Sequence, residues 1–182
     1  IDISEQWEES CTETSLPQDI FMSEHCQKWE AVTAKYPNQN TKTIRLGVVF
    51  GNGGGVLSQM LLPIKMNMVK NIGHGRQPCV WVHIQDVIRA VEFLMLNETK
   101  ESIFNVVAPE KVNQKTFADI TSLILNKKPL FTLPNFIMKW ILGEQSQLVL
   151  NGQYVTPKAL QNAGFEFEYP VLKYAMKNLI EK

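Results

Sequence analysis

The recurrence of apolar positions predicts a helix near the start of the chain. The positions are separated by steps of four, three, four and three residues: Met22, Cys26, Trp29, Thr33 and Tyr36. Such steps place the side chains on one face of a helix. We predict that this helix starts around Pro17 and Asp19 and ends before Pro37, because proline disfavours helical geometry in the preceding residue. Residues 1–18, which are polar and acidic, are predicted to form a surface loop.

A short apolar run follows at residues 44–50 and is rich in β-branched side chains. Four of the five residues at 51–55, directly after it, are glycines. The pattern therefore predicts a buried strand that ends in a glycine loop. Residues 56–68 are then expected to form an apolar helix that Pro63 bends or ends. Residues 71–77 contain two further glycines and are predicted to form a turn.

The middle of the chain repeats the strand-then-helix order. Residues 79–84 are predicted to be a strand, and Asp86 is placed to cap a helix at 87–96. Residues 102–108 form the next predicted strand, and Asn113 is placed to cap the helix after it. This alternation favours a parallel α/β arrangement for the first half of the chain.

The second half of the chain is predicted to be mostly helical. Helices are expected at residues 136–142, 157–162 and 170–179. Pro170 is expected at the first position of the last helix, where its missing amide proton has no intrahelical partner to lose. Extended segments are expected at residues 129–134 and 149–155.

Composition excludes several classes of function. The 182 residues carry 18 basic and 18 acidic side chains, so no basic excess supports binding to nucleic acid or to an anionic membrane. No apolar run reaches the roughly 20 residues of a membrane-spanning helix. Three cysteines without a Cys-x-x-Cys pair argue against a disulfide framework and a thiolate metal site. We expect no metal and a reducing, intracellular location, either cytoplasmic or in the mitochondrial matrix.

Several segments then resemble a known family. They are residues 45–55 (RLGVVFGNGGG), 80–90 (VWVHIQDVIRA), 104–109 (FNVVAP) and 150–158 (LNGQYVTPK). Their order and spacing resemble the extended short-chain dehydrogenase/reductases, and in particular the atypical subgroup called epimerase family proteins. The likeness covers roughly residues 5–180. Each segment alone is a weak signal, whereas their agreement in order over this length is specific.

The resemblance implies an α/β fold with an incomplete Rossmann-like parallel sheet and a mostly helical C-terminal lobe. Residues 1–56 would be the last part of the NAD(P)-binding domain. Residues 57–134 would be a substrate-binding lobe, and residues 135–182 the small C-terminal domain. The chain begins at Ile1 and contains no Gly-x-Gly-x-x-Gly motif, so about the first two-fifths of a family member is expected to be absent. Because the central strands would be absent too, we expect the chain alone to be marginally stable.

The resemblance also implies a nicotinamide cofactor, NADP or NAD, held mostly by the absent part. The backbone of Gly51, Gly53 and Gly54 would approach the nicotinamide end, because glycine has no Cβ in the way. Val48 and Val49 would form an apolar wall beside it. The alternative for the glycines is a strand-to-helix turn that needs positive φ angles.

A small-molecule substrate, with a nucleotide sugar as the candidate, is the partner that the resemblance implies. Arg76 and Gln77 would bind its sugar or diphosphate group, since the guanidinium offers a planar, bidentate fork. Trp81 and His83 would face the substrate. The alternatives are a solvated loop for the first two residues, and core packing with helix contacts for the other two.

The catalytic residues cannot be assigned from the sequence. The family uses a Tyr-x-x-x-Lys pair on one helix, in which the ammonium lowers the tyrosine pKa for proton transfer. Here those positions fall at Ile20 or Phe21 and at Glu24 or His25. Three hypotheses remain open: an NAD(P)-dependent oxidoreductase or nucleoside-diphosphate-sugar epimerase-like protein, a non-catalytic NAD(P)-binding sensor or scaffold, and an inactive truncated gene product.

Arg45 lies inside the predicted strand at residues 44–50. A buried guanidinium needs an acidic partner, because burying an unpaired charge costs several kcal/mol. Asp86 and Glu30 are the candidate partners.

Overall fold

Parallel strand pairing organises the chain, as the alternation of strand and helix patterns predicts. The computed structural model describes residues 10–16, 21–33, 35, 41–53, 55–72, 75–129, 131–133 and 153–181. Its strands are β1 (Ser10–Cys11), β2 (Thr43–Leu46), β3 (Val48–Phe50), β4 (Val69–Ile72), β5 (Trp81–His83), β6 (Ile103–Val106), β7 (Phe131–Leu133) and β8 (Tyr154–Val155). Its helices are α1 (Phe21–Thr33), α2 (Gly55–Lys65), α3 (Ile84–Leu96), α4 (Gln114–Ile124), α5 (Lys158–Asn162) and α6 (Leu172–Ile180). Every pair of these strands is parallel, which confirms the α/β class.

The predicted strand at residues 44–50 is present, and it changes partner at Gly47. β2 pairs with β6 and β3 pairs with β5. At the junction, the Gly47 amide donates to the Val106 carbonyl and the Val48 amide donates to the Val80 carbonyl, at 3.3 and 2.8 Å. A Cβ at Gly47 would lie 3.1 Å from the Val80 carbonyl oxygen. A side chain therefore has no room where the run passes from one partner to the other.

Two apolar clusters cover the faces of these strands. The first cluster lies under α2, α4 and α6, and its large members include Phe50, Leu57, Trp81, Phe117 and Met176. The second cluster lies under α3 and α5, and its members include Val82, Ala90, Phe104, Leu160 and Phe165. Strands that are covered on both faces are typical of parallel sheets. The glycine loop therefore leaves from a strand that is fixed on both sides.

The segment before α1 is not a free surface loop, so the prediction for residues 1–18 is wrong at β1. β1 pairs with β8, more than 140 residues later in the chain. The Glu13 carboxylate accepts the Asn105 and Ala159 amides, each at 3.1 Å. Sequence periodicity cannot reveal a two-residue strand that is held by such distant partners.

Three further local predictions are corrected. β4 occupies the start of the predicted turn at residues 71–77. Asp86 is not the cap of α3, because the His83 side chain accepts the Gln85 amide at that position. Pro170 does not open α6, which begins at Leu172; the Glu110 carboxylate accepts the Leu172 amide at 2.6 Å and sets that start. Asn113 caps α4 as predicted.

Some predictions lie outside the described residues. They include the helix at residues 136–142, the positions Ile20 and Gly54, and the two ends predicted for α1. In the part of the chain that is described, no helix is both long and apolar enough to cross a membrane.

Candidate functional site

The carboxyl ends of β3 and β5 lie side by side, with Phe50 opposite His83 in the register. The glycine loop leaves β3 at this edge and enters α2. Gly53 and Gly55 have φ angles of 90° and 75°, which other residues rarely adopt. A Cβ at Gly53 would meet nothing within 4 Å, so the loop backbone is open to its surroundings. The loop therefore has the positive φ angles that the turn interpretation predicts.

Val48 and Val49 lie directly before this loop and are half-buried. Val48 packs against the first apolar cluster and Val49 against the second. The two side chains thus point to opposite faces of the sheet. Each of the two predicted wall residues therefore lines a different face of the strand end, and they do not form one wall.

His83 closes the neighbouring strand and starts α3. Its Nδ1 atom accepts the Gln85 amide at 3.1 Å, so this nitrogen carries no proton. Its ring stacks on Tyr169 with the ring centroids 4.0 Å apart. His83 is buried in this arrangement. Its described role is therefore to cap the helix and to support Tyr169, a residue that the sequence alone did not single out.

Asp86 fixes this arrangement from one turn further along α3. The carboxylate is 0% exposed. It accepts the backbone amides of Glu168 and Tyr169 at 2.8 and 2.9 Å. Arg89 donates to the same carboxylate at 3.2 Å. Asp86 therefore holds the segment around Tyr169 against α3, a role that needs partners more than 80 residues away.

Trp81 lies inside the first cluster with only 1% of its surface exposed. Its ring stacks on Phe50 with the centroids 5.7 Å apart. The indole Nε1 has no hydrogen-bond acceptor among the described residues. The sequence left two alternatives for Trp81, core packing and contact with the substrate. In the structure, Trp81 packs in the core.

Arg76 and Gln77 lie at the other end of the segment that leads into β5. Backbone bonds attach this segment to the start of α4: the Lys115 amide donates to the Gly75 carbonyl and the Gln114 amide donates to the Gln77 carbonyl. Arg76 is exposed, whereas Gln77 is buried. The four predicted substrate residues therefore do not form one cluster; Arg76 and Gln77 lie at the start of residues 76–83, and His83 lies at its end.

Arg45 pairs with Glu30, which confirms one of its two predicted partners and excludes Asp86. Its Nε and Nη2 atoms donate to the two carboxylate oxygens at 2.6 and 2.7 Å. The hydrogen bond to Glu30 raises the pKa of the Arg45 guanidinium above its ordinary value. This ion pair ties α1 to β2 and keeps Arg45 from serving as a free anion-binding group.

The described residues of α1 do not contain the family's tyrosine–lysine pair. The helix includes Phe21, Glu24 and His25 at the positions where the resemblance places that pair, and it contains no tyrosine. Glu24 is exposed and His25 is half-buried. Neither a phenylalanine nor a glutamate can supply the phenol and ammonium that the family chemistry uses.

Cys79, just before β5, gives a prediction for the pH dependence of stability. Burial raises the pKa of its thiol from an ordinary 9.0 to about 12. In the unfolded chain the Cys79 thiol ionises at lower pH than in the folded chain. Ionisation of the thiol therefore does not favour unfolding below about pH 9, and it favours unfolding increasingly as pH rises from 9 towards 12. At pH 10 we expect the free energy of unfolding to have fallen by roughly 1 kcal/mol because of this group.

The test compares the chain with Cys79→Ala by urea titration at pH 7 and pH 10. The difference in unfolding free energy between the two proteins should shrink at pH 10. Cys26→Ala, at an exposed position, is the matched control. An equal loss of stability in the chain and in Cys79→Ala would show that the thiol is not the cause.

Comparisons with known proteins add to this geometry. Residues 133–179 match a family described as a domain of unknown function, DUF1731. An epimerase family protein of Staphylococcus aureus is 35% identical over 170 residues, which is 92% of this chain and 56% of that protein. The human epimerase family protein (isoform 2), whose crystal structure contains NADPH, superimposes with a TM-score of 0.88 at 30% identity. The match covers 96% of this chain and 60% of the human one.

A more distant structure shares the fold. The nucleoside-diphosphate sugar epimerase of Corynebacterium glutamicum superimposes with a TM-score of 0.72 at 23% identity, over 95% of this chain. This chain therefore spans little more than half the length of the Staphylococcus and human proteins that it resembles.

Proposed function

We propose that this chain is the C-terminal portion of an epimerase family protein of the extended short-chain dehydrogenase/reductase class, and that it forms one side of an NAD(P)-dependent active site. The whole protein would be an oxidoreductase or a nucleoside-diphosphate-sugar epimerase-like enzyme. The open glycine loop at the carboxyl edge of β3 and β5 carries the proposal. In open α/β sheets, ligands bind in the crevice outside the carboxyl ends of the strands.

The cofactor, NADP or NAD, would lie with its nicotinamide end against this loop. Gly51 and Gly53 would let the loop backbone approach the ring, because neither has a Cβ. Val48 and Val49 would supply apolar wall beside it, each on its own face of the sheet. The human protein's NADPH supports a nicotinamide cofactor, and the part of the family that this chain does not match would hold the rest of it.

The substrate would be a small molecule such as a nucleotide sugar, as the name of the Corynebacterium protein suggests. Arg76 is exposed at the start of the β5 segment and would bind a diphosphate through its planar fork. Gln77 and Trp81 would support that segment from the interior. His83, with Tyr169 stacked on it, would form the floor between the loop and the substrate. We keep residues 57–134 as the proposed substrate lobe, between the cofactor part at 1–56 and the C-terminal domain at 135–182.

A non-catalytic NAD(P)-binding sensor is the second candidate, and the sequence of α1 favours it. Its described residues lack the tyrosine, and the lysine position holds Glu24 or His25. Turnover of a panel of sugar nucleotides and carbonyl compounds would separate the two candidates. Binding of NADPH without any turnover would favour the sensor.

The cofactor proposal can be tested with a chimera, in which the part of the human relative that this chain does not match is fused ahead of Ile1. Two glycines of this chain share a φ angle of 90° and an open Cβ direction: Gly53 in the loop and Gly164 after α5. Gly53→Ala and Gly164→Ala should each lower stability by about 1 kcal/mol, because the strain on the backbone is the same. Only Gly53→Ala should weaken NADPH binding, by about tenfold, which corresponds to about 1.4 kcal/mol.

Isothermal titration calorimetry measures the affinity, and thermal unfolding measures the stability. Equal NADPH affinity in the two variants would show that the loop is not part of the cofactor site. A chimera that folds and binds no NADPH or NADH would overturn the proposal as a whole.

A further inference from the structure

Charge is divided unevenly along the chain. Residues 51–85 and 111–133, which include α2, β4, β5, α4 and β7, carry a single acidic side chain, Asp119. The same residues carry seven basic side chains: Lys65, Lys70, Arg76, Lys111, Lys115, Lys127 and Lys128. Of the 18 acidic and 18 basic residues, the rest of the chain therefore carries 17 and 11. The zero net charge thus combines two oppositely charged parts, and an asymmetry of this kind is typical of proteins with an anionic partner.

Two turns of the basic part lie side by side. One turn joins α2 to β4, and the other joins α4 to β7. β4 and β7 are paired, with Val69 opposite Phe131. The Lys128 amide also donates to the Asn67 side-chain oxygen at 2.9 Å, which connects the two turns directly. Residues 62–68 and 123–128, which contain these turns, are together named the basic tip.

The backbone of the basic tip has the same conformation in both turns. Asn67 and Asn126 have φ angles of 60° and 52°, a left-handed conformation that asparagine adopts more readily than most residues. In each turn the amide of the asparagine and the next amide donate to helix carbonyls three and five residues earlier, at 2.8 to 3.2 Å. This is the Schellman pattern, which satisfies the last carbonyls of a helix. The tip is therefore held in place by its own hydrogen bonds.

The basic tip exposes apolar and cationic side chains together. Its large apolar side chains that are each more than half exposed are Leu62, Met66, Met68 and Leu123. Its three lysines are exposed as well: Lys65, Lys127 and Lys128. In the part of the chain that is described, these ammonium groups form no ion pair. Grouped apolar side chains on a surface mark a site of interaction, and the lysines beside them favour an anionic partner.

The residue types of the basic tip favour a lipid bilayer over a protein or a nucleic acid. Protein interfaces are enriched in aromatic residues and arginine and depleted in lysine. Nucleic-acid sites rely on arginine and on aromatic side chains that stack on bases. Residues 62–68 and 123–128 contain neither an arginine nor an aromatic residue. Lysine beside leucine and methionine instead suits a bilayer surface, where apolar side chains enter the acyl boundary and ammonium groups reach the headgroups.

The basic tip and the glycine loop lie at opposite ends of α2. The helix begins at Gly55, directly after the loop, and ends at Lys65, within the tip. Its 11 residues separate the two ends by about 15 Å. Binding at the tip can therefore be measured without a nucleotide and independently of the cofactor proposal.

We propose that the basic tip is a peripheral membrane-binding site, and that its occupant is a bilayer surface that carries anionic lipids. Met66 and Met68 insert at the level of the headgroups, and the three lysines of the tip bind the anionic groups around them. The contact is reversible and weakens with salt, because much of the attraction is electrostatic.

Sedimentation of the chimera described above with lipid vesicles tests the proposal. Vesicles of phosphatidylcholine mixed with phosphatidylserine should sediment the chimera at low salt, and vesicles of phosphatidylcholine alone should not. Combining Lys65→Gln, Lys127→Gln and Lys128→Gln should lower the affinity for the mixed vesicles on the order of 100-fold, since each lysine at an anionic surface contributes about fivefold.

A matched control removes the same charge from exposed lysines outside the basic part: Lys28→Gln, Lys100→Gln and Lys158→Gln. This control should change the affinity by less than about threefold, because charges far from the bilayer are screened. Met66→Gln combined with Met68→Gln keeps every charge and should lower the affinity about tenfold, because less apolar surface leaves water. All these side chains are exposed, so circular dichroism should show that each variant folds as the parent does.

Three results would overturn the proposal. The first is a folded chimera that does not sediment with the mixed vesicles. The second is an equal loss of affinity in the tip lysine variant and in its control. The third is unchanged affinity in the methionine variant, because the tip would then recognise charge alone, which an acidic protein surface also offers. No nucleotide is present in these measurements, so their failure leaves the NADPH experiment unaffected.

Discussion

Replacing Asp86 with alanine is expected to lower the free energy of unfolding by about 3–5 kcal/mol. The carboxylate is fully buried and accepts two backbone amides as well as Arg89. Its removal leaves the Glu168 and Tyr169 amides without an acceptor and the guanidinium without its partner. A hydrogen bond from a backbone amide to a charged carboxylate contributes roughly 1.5–3 kcal/mol. The Arg89 side chain is 37% exposed, so water replaces its partner and its loss costs little. Urea titration of the chimera measures the loss.

Hydrogen exchange gives a local check on the same variant. The Glu168 and Tyr169 amides should lose protection before the β6 amides do, because their acceptor is gone. Glu92→Ala, an exposed acid on the same helix, should change stability by less than about 0.5 kcal/mol. If Asp86→Ala were as mild as Glu92→Ala, the carboxylate would not hold the C-terminal segment to α3.

Replacing Trp81 with alanine is expected to cost about 3–5 kcal/mol. The side chain is among the largest that are fully buried, and it stacks on Phe50 within the first cluster. The variant would leave a cavity between the sheet and α4, since Phe117 packs on the same Phe50 ring. Denaturant titration of the chimera provides the value.

Trp29→Ala is the matched control, because Trp29 lies on α1 and is 73% exposed. Its loss should lower the free energy of unfolding by less than about 0.5 kcal/mol in the same titration. Trp81→Phe separates the two interpretations of this residue. A core residue should lose stability and keep substrate affinity, whereas a residue that stacks on the substrate should show the opposite pattern.

Apart from β1 and β4, the strands and helices of the first half were predictable because each has a strong local signal. The β-branched run that ends in glycines predicts β2 and β3, and the Asn113 cap predicts the start of α4. The alternation of strands and helices predicted the parallel arrangement, and the resemblance added the family. These features depend on neighbours in sequence or on motifs, so one sequence is sufficient to find them.

The contacts that hold the candidate site together were not predictable in the same way. Asp86 resembled a helix cap, because an acidic residue at the start of a helix is typical of one. Its actual partners, Glu168 and Tyr169, follow it by more than 80 residues. β1 depends likewise on a strand at Tyr154. No local pattern encodes a pairing at that distance. For Arg45, by contrast, a charge inside an apolar strand was enough to predict that it has an acidic partner.

The NMR spectrum of the chimera, recorded with and without NADPH, tests the central claim most directly. The account predicts that the amide signals of Gly51 and Gly53 shift on NADPH addition and that the Gly164 signal does not. It would be contradicted if NADPH bound to the folded chimera and left both loop signals unchanged, because the glycine loop would then have no part in the cofactor site.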